Sequence, residues 1–86
     1  MKYLCQASQT NERFELLLQL TRINSDDVKD ALRAHLVKGF NEKDAALLNG
    51  VPFSNFSRAL TKLNHVAGVV ESIKDIDWQR FKSDKR

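Results

Sequence analysis

The stretch Asn41-Glu42-Lys43-Asp44-Ala45-Ala46-Leu47-Leu48-Asn49-Gly50-Val51-Pro52-Phe53-Ser54-Asn55-Phe56-Ser57-Arg58-Ala59-Leu60-Thr61-Lys62-Leu63-Asn64 decides the fold. Asn41 is a strong helix N-cap, and Asp44 stands three residues on, where a capping-box partner belongs. A short helix over residues 42–48 then stops at Asn49-Gly50, a pair that tolerates left-handed backbone. Pro52 suits the first turn of the next helix, because the N–H it lacks would have no intrahelical partner there. Residues 53–64 form that helix, with Phe56, Ala59, Leu60 and Leu63 on its inner face. A short helix, a tight turn and a second helix match the helix-turn-helix plan. Ala46 is small where the two helices approach, Gly50 follows four residues later, and Val51 plugs the angle between them.

Subtracting the inner face of the second helix leaves Ser54, Asn55, Ser57, Arg58, Thr61, Lys62 and His65. No acidic residue occurs between Asp44 and Glu71. Hydrogen-bonding and cationic groups without carboxylates suit a surface that meets phosphates and base edges. Any surface helix is polar outside, but the other helices here mix both charges, and only this one follows the tight turn. Ser54, Asn55, Ser57, Arg58, Thr61 and Lys62 are therefore the expected DNA-binding residues. Phe53 is expected to pack against the core rather than contact a thymine methyl or wedge into a groove.

The rest of the chain reads as helix too. Phe14, Leu17 and Leu18 give a first helix over residues 11–21 one apolar face, which Leu20 and Ile23 extend. Ser25 caps a second helix, with Asp26 and Asp27 at the positive end of its dipole. Val28, Ala31, Leu32, His35 and Leu36 form its buried stripe, and Lys38-Gly39 ends it. His35 reads as an interior histidine with a satisfied hydrogen bond. Beyond Asn64 the same period runs through Val66, Ala67, Val70 and Ile73, with Asn64 and Gly68 as points of bending and a fifth helix over residues 66–75. Trp78 and Phe81 are expected to fold back on the core or to meet a second subunit. The expectation is an all-α bundle of about five helices: a flexible segment over residues 1–10, a helical DNA-binding domain over 11–81 with its helix-turn-helix at 41–64, and a basic tail over 82–86.

Composition sets the outer bounds. The 86 residues are 42% hydrophobic and 29% charged, with a net charge of +3, which points to one small folded domain. The lone Cys5 has no internal disulfide partner and suggests a reducing, cytoplasmic setting. Cys5, His35 and His65 have no metal-ligand spacing, and no cofactor is expected. No apolar run approaches the roughly 20 residues that cross a bilayer. No nucleophile, paired carboxylates or Gly-rich phosphate loop suggests an enzyme or a small-molecule substrate.

From Phe14 to about Ile73 the chain resembles the small bacterial fimbrial-operon regulators of the PapB type, the adhesin biosynthesis regulatory proteins. The resemblance lies in Phe14-Glu15-Leu16-Leu17-Leu18, in Ile23-Asn24-Ser25-Asp26, in the run from Ala31 to Gly39, and in Asn55-Phe56-Ser57-Arg58-Ala59-Leu60-Thr61-Lys62-Leu63-Asn64. It implies an all-α, nucleoid-associated regulator that binds AT-rich double-stranded promoter DNA as an oligomer and controls an adhesin operon; minor-groove binding has been proposed for the family. Asn55 stands where members often carry an aromatic, and the sequence after Asn64 diverges. The rival expectation is a helical adaptor that binds another protein through Val66 to Ile73, Trp78 and Phe81, using the helix-turn-helix only as scaffold.

Overall fold

Four helices follow one another: α1 (Asn11–Gln19), α2 (Asp26–Leu36), α3 (Glu42–Leu48) and α4 (Phe53–Asp84). The computed structural model describes residues 3–84, with side chains described through residue 81, and no strand occurs among the described residues. Each of the first three helices starts at a side-chain cap. Thr10 accepts from the Arg13 N–H, Ser25 from the Val28 N–H and Asn41 from the Asp44 N–H, at 3.2, 3.4 and 2.8 Å. Such caps each contribute on the order of 1 kcal/mol. The Asn41 amide also donates to the Asp44 carboxylate at 3.0 Å. The expected box thus closes side chain to side chain.

The core gathers one face from every helix: Phe14, Leu17 and Leu18 of α1, Ala31, Leu32 and Leu36 of α2, Ala45 and Ala46 of α3, and Phe56, Ala59, Leu63 and Ala67 of α4. Phe14, Leu32, Leu36, Phe56 and Leu63 are the largest fully buried side chains. Each stabilises the fold by about 1.5–3 kcal/mol relative to exposure. Arg33 of α2 lies over the Phe14 ring at 5.4 Å and pairs with Glu15 of α1 and Asp30. His35 is interior, as expected; its Nδ1 lies 2.8 Å from the Phe40 carbonyl oxygen and its ring meets Phe56 edge-on.

The fold departs from the sequence expectations in three places. First, the described residues form four helices rather than about five, because α4 runs unbroken for 32 residues. The two suspected weak points do other work. The Asn64 Oδ1 accepts from the backbone N–H groups of Tyr3 and Leu4, at 2.7 and 3.1 Å. Gly68 lies beneath the Tyr3 ring, where an added Cβ would come within 2.8 Å of Tyr3 Cε2. Both residues serve the approach of the N-terminal segment, and no proline interrupts the helix after Pro52.

Second, the segment before α1, expected to be loose, is tied down. Leu4 is buried in the core. Ala7 and Gln9 donate their N–H groups to the carbonyls of His35 and Leu36, at 3.0 and 2.9 Å, and the Gln6 amide reaches the Gly39 carbonyl. A single buried residue, Leu4, sets no periodicity, and backbone bonds of this kind leave no sequence pattern.

Third, the apolar period outruns the core. Leu20 is exposed because α1 stops at Gln19, and Ile73 is exposed because the bundle supporting α4 ends near Val70. Trp78 and Phe81 do not fold back. They stack on each other with centroids 5.7 Å apart, and both are about half exposed or more, at 59% and 47%. From Ser72 onward, α4 overhangs the bundle by about 20 Å of helix. The side chains of the expected tail at residues 82–86 lie outside the described residues; the α4 backbone continues to Asp84.

Candidate nucleic-acid interface

The turn between α3 and α4 is built as its sequence dictates. Gly50 has φ +66°, in the left-handed region that glycine adopts without steric cost. The Val51 N–H donates to the Ala46 carbonyl at 2.9 Å and the Gly50 N–H to the Leu47 carbonyl at 3.1 Å. This bonding pattern is a Schellman cap, with buried Val51 packed near buried Ala46. Pro52 sits just before α4, and its carbonyl accepts from the Phe56 N–H at 3.1 Å. Its position is that of the cap, one residue earlier than the first-turn site expected. The angle between α3 and α4 is therefore held by backbone bonds, a positive-φ glycine and apolar packing together.

This turn fixes which face of α4 looks outward. Phe56, Ala59 and Leu63 are buried, while Ser54, Asn55, Arg58, Thr61, Lys62 and His65 are exposed and Ser57 is half-buried. The span from Ser54 to Lys62 is about 12 Å along the helix. Arg58 donates to the Asn55 side-chain oxygen at 2.5 Å, and Thr61 donates back to the Ser57 carbonyl at 2.9 Å. The Asn55 contact draws the guanidinium along the helix face.

The six expected residues share this ridge, and all but Ser54 line one or other of its flanks. Asn55, Arg58 and Lys62 line a groove against Ile23, Ser25 and Val28. Ser57 and Thr61 line a separate cavity against Leu4, His35 and Glu42. Glu42 is thus an acid at one edge of the ridge. The acid-free interval in the sequence does not show it, because Glu42 lies on α3 and reaches the flank of α4 only through the fold. Phe53 only partly meets its packing expectation. Its ring lies 6.3 Å from that of Phe56, yet the residue stays 46% exposed, on the leading turn of the ridge.

The far end of the packed part of α4 is tied to α1 by charge. Arg13 of α1 contacts Glu71 at 2.8 Å, and Lys74 approaches the same carboxylate at 3.5 Å. The Arg13 hydrogen bond, and secondarily Lys74, hold the Glu71 carboxyl below its ordinary value, against a smaller opposing effect of desolvation. Among the described residues no group of three His, Cys, Asp or Glu side chains is placed to hold a metal ion, and no helix is long and apolar enough to cross a membrane.

Comparison with known proteins converges on one kind. The PapB family model, described as adhesin biosynthesis transcription regulatory protein, matches residues 1–76. The F1845 adhesin operon regulatory protein of Escherichia coli is 36% identical over 58 residues, covering 67% of this chain and 68% of that protein. The crystal structure of FocB from Escherichia coli superposes with a TM-score of 0.80 at 29% identity, covering 85% of this chain and 83% of that one.

Proposed function

Because the chain belongs to the PapB family of adhesin biosynthesis transcription regulatory proteins, we propose that its α3–turn–α4 unit works as a helix-turn-helix that binds promoter DNA of an adhesin operon. The observation that carries this reading is the outward face of α4: a ridge of hydroxyl, amide and cationic groups, free of acid along the helix and set opposite the buried face. Arg58 and Lys62 supply charge to phosphates, and Arg58, Asn55 and the hydroxyls of Ser54, Ser57 and Thr61 supply the hydrogen bonds that read or register the duplex. The target is AT-rich double-stranded DNA, and the setting is the bacterial cytoplasm, in association with the nucleoid.

One short helix reads few base pairs, so the active species is an oligomer. The overhang of α4 suits a second copy of this chain. Ile73, Ile76, Trp78 and Phe81 are exposed on it. Its acids Asp75 and Asp77 precede Arg80 and the basic residues that follow in sequence. An antiparallel pair of overhangs would set the acidic stretch of each against the basic stretch of the other. A heterologous protein adaptor would use the same apolar surface, and experiment separates the two readings.

Footprinting on the DNA upstream of the protein's own gene tests the proposal. The expected result is protection of AT-rich sites repeated at regular spacing. Absence of protection and of any gel shift at low salt, together with a stable complex with a different protein, would replace it with the adaptor reading.

A further inference from the structure

A cavity of about 390 Å³ opens beside the DNA-facing ridge, walled by Leu4, Gln6, His35, Glu42, Ser57 and Thr61. Its volume falls within the range of small-ligand pockets. His35 is its most informative wall. The residue is only 5% exposed. Its Nδ1 faces the Phe40 carbonyl oxygen, which can only accept, so Nδ1 carries the hydrogen and donates. In the neutral ring Nε2 is then an acceptor with its lone pair available. No described residue bonds to Nε2, while every fully covered side-chain nitrogen and oxygen among the described residues has a partner. Nε2 is therefore not fully covered, and His35 lines the cavity.

The rest of the polar wall includes a carboxylate. Glu42, the first residue of α3, is half-buried, and no cation among the described residues pairs with its carboxylate. Ser57 and Thr61 add hydroxyl oxygens, and Leu4 supplies apolar surface. An imidazole acceptor, a carboxylate and hydroxyls beside an apolar wall call for a ligand rich in donors, positively charged and short. We propose that this cavity binds a small organic cation, a primary ammonium on a short apolar chain, and that its occupancy strengthens DNA binding. The ammonium donates to the Glu42 carboxylate and His35 Nε2, and the chain lies against Leu4. Neutralising Glu42 removes the acid at the edge of the ridge, and phosphates then approach Ser57 and Thr61 without repulsion. The coupling to DNA rests on the function proposed above; occupancy of the cavity does not.

The test uses the full chain and three probes of matched size: n-butylammonium, n-butanol and butyrate, at constant ionic strength. In ¹H–¹⁵N correlation spectra, butylammonium is expected to give saturating shifts at Cys5, Gln6, Ser57 and Thr61 and at the His35 ring nitrogens. Glu42→Gln should weaken this binding roughly tenfold, the scale of one charge-assisted hydrogen bond. Ser57→Ala is a second variant, with a smaller expected loss. Equal responses to all three probes, a preference for butyrate, or no saturable shift in the folded protein would overturn the cavity assignment. In a gel-shift with AT-rich DNA, saturating butylammonium should tighten binding several-fold in the wild type and not in Glu42→Gln. Saturated cavity shifts with unchanged DNA affinity would overturn the coupling. Saturated shifts in a protein that binds no DNA at low salt would uphold the cavity and sink the DNA reading instead.

Discussion

The two halves of α4 are one continuous helix with opposite surroundings. From Phe53 to Val70 it is amphipathic: Phe56, Ala59, Leu63 and Ala67 are buried against three other helices and the N-terminal segment, and the polar ridge faces out. From Ser72 onward nothing underlies it, and its described residues are exposed on every side. The first half draws its stability from tertiary packing. The second relies on its continuity with the first and on local pairs, such as Glu71 with Lys74 and Trp78 on Phe81. A helix that buries one face can present the other in a fixed orientation, which a docking surface requires. A helix that buries neither face leaves its apolar side chains for a partner to cover.

Removing one aromatic from each half should have very different consequences. Phe56→Ala should cost about 3–5 kcal/mol of unfolding free energy in denaturant titration. Trp78→Ala should stay within about 0.5 kcal/mol at concentrations where the chain is monomeric. It should instead weaken self-association, read by sedimentation. Similar losses of monomer stability from the two substitutions would mean that the overhang packs on the bundle after all.

Much of the first half of α4, and of the elements that lead into it, was legible in the sequence. Asn41, Gly50 and the i, i+3, i+4, i+7 run of Phe56, Ala59, Leu60 and Leu63 each encode a local geometry, and local geometry survives without tertiary knowledge. The caps at Ser25 and Asn41 fell where side-chain chemistry put them. The second half misled for a related reason. Its apolar period continues smoothly past Val70, and a period alone cannot reveal that the surface it should face has ended. Asn64 and Gly68 misled because residues that weaken a helix also accept hydrogen bonds and permit close approach, and only the N-terminal segment folded over them shows which purpose applies. In the candidate site, the ridge residues were readable from helical spacing and charge. The cavity flanking them was not, because Leu4, His35, Glu42 and Ser57 come from four separate parts of the chain.

A smaller effect sharpens the junction between α4 and the N-terminal segment. Asn64→Ala removes the acceptor of the Tyr3 and Leu4 N–H groups, and should cost about 1–2 kcal/mol. Hydrogen exchange at the Leu4 and Ala7 amides should accelerate while the centre of α4 stays protected. Loss of protection throughout α4 would instead make Asn64 a determinant of the helix itself.

The smallest expected effect lies at the boundary between the halves. The folded-state pKa of Glu71 is depressed by Arg13 and Lys74 below its ordinary value of 4.5. A depressed carboxyl contributes stability that is fully present above the unfolded value and lost as pH falls through the folded one. Wild-type stability should therefore fall more than that of Glu71→Gln as pH drops below about 4.5, and the two proteins should run parallel above pH 6. A pH-independent difference between them would show that the Arg13 contact acts through packing rather than charge.

On the function proposed above, the outward face of the first half of α4 binds DNA. The most direct test is the salt dependence of affinity for AT-rich promoter DNA, measured in parallel for the wild type and for the Arg58→Ala, Lys62→Ala double variant, with the fold of each checked by circular dichroism. The prediction is weaker binding by the folded double variant at every salt concentration, with the slope of log affinity against log salt reduced by about 2 for each chain engaged, one for each lost phosphate contact. A folded double variant with wild-type affinity and wild-type slope would contradict the claim and move the DNA contact elsewhere on the molecule.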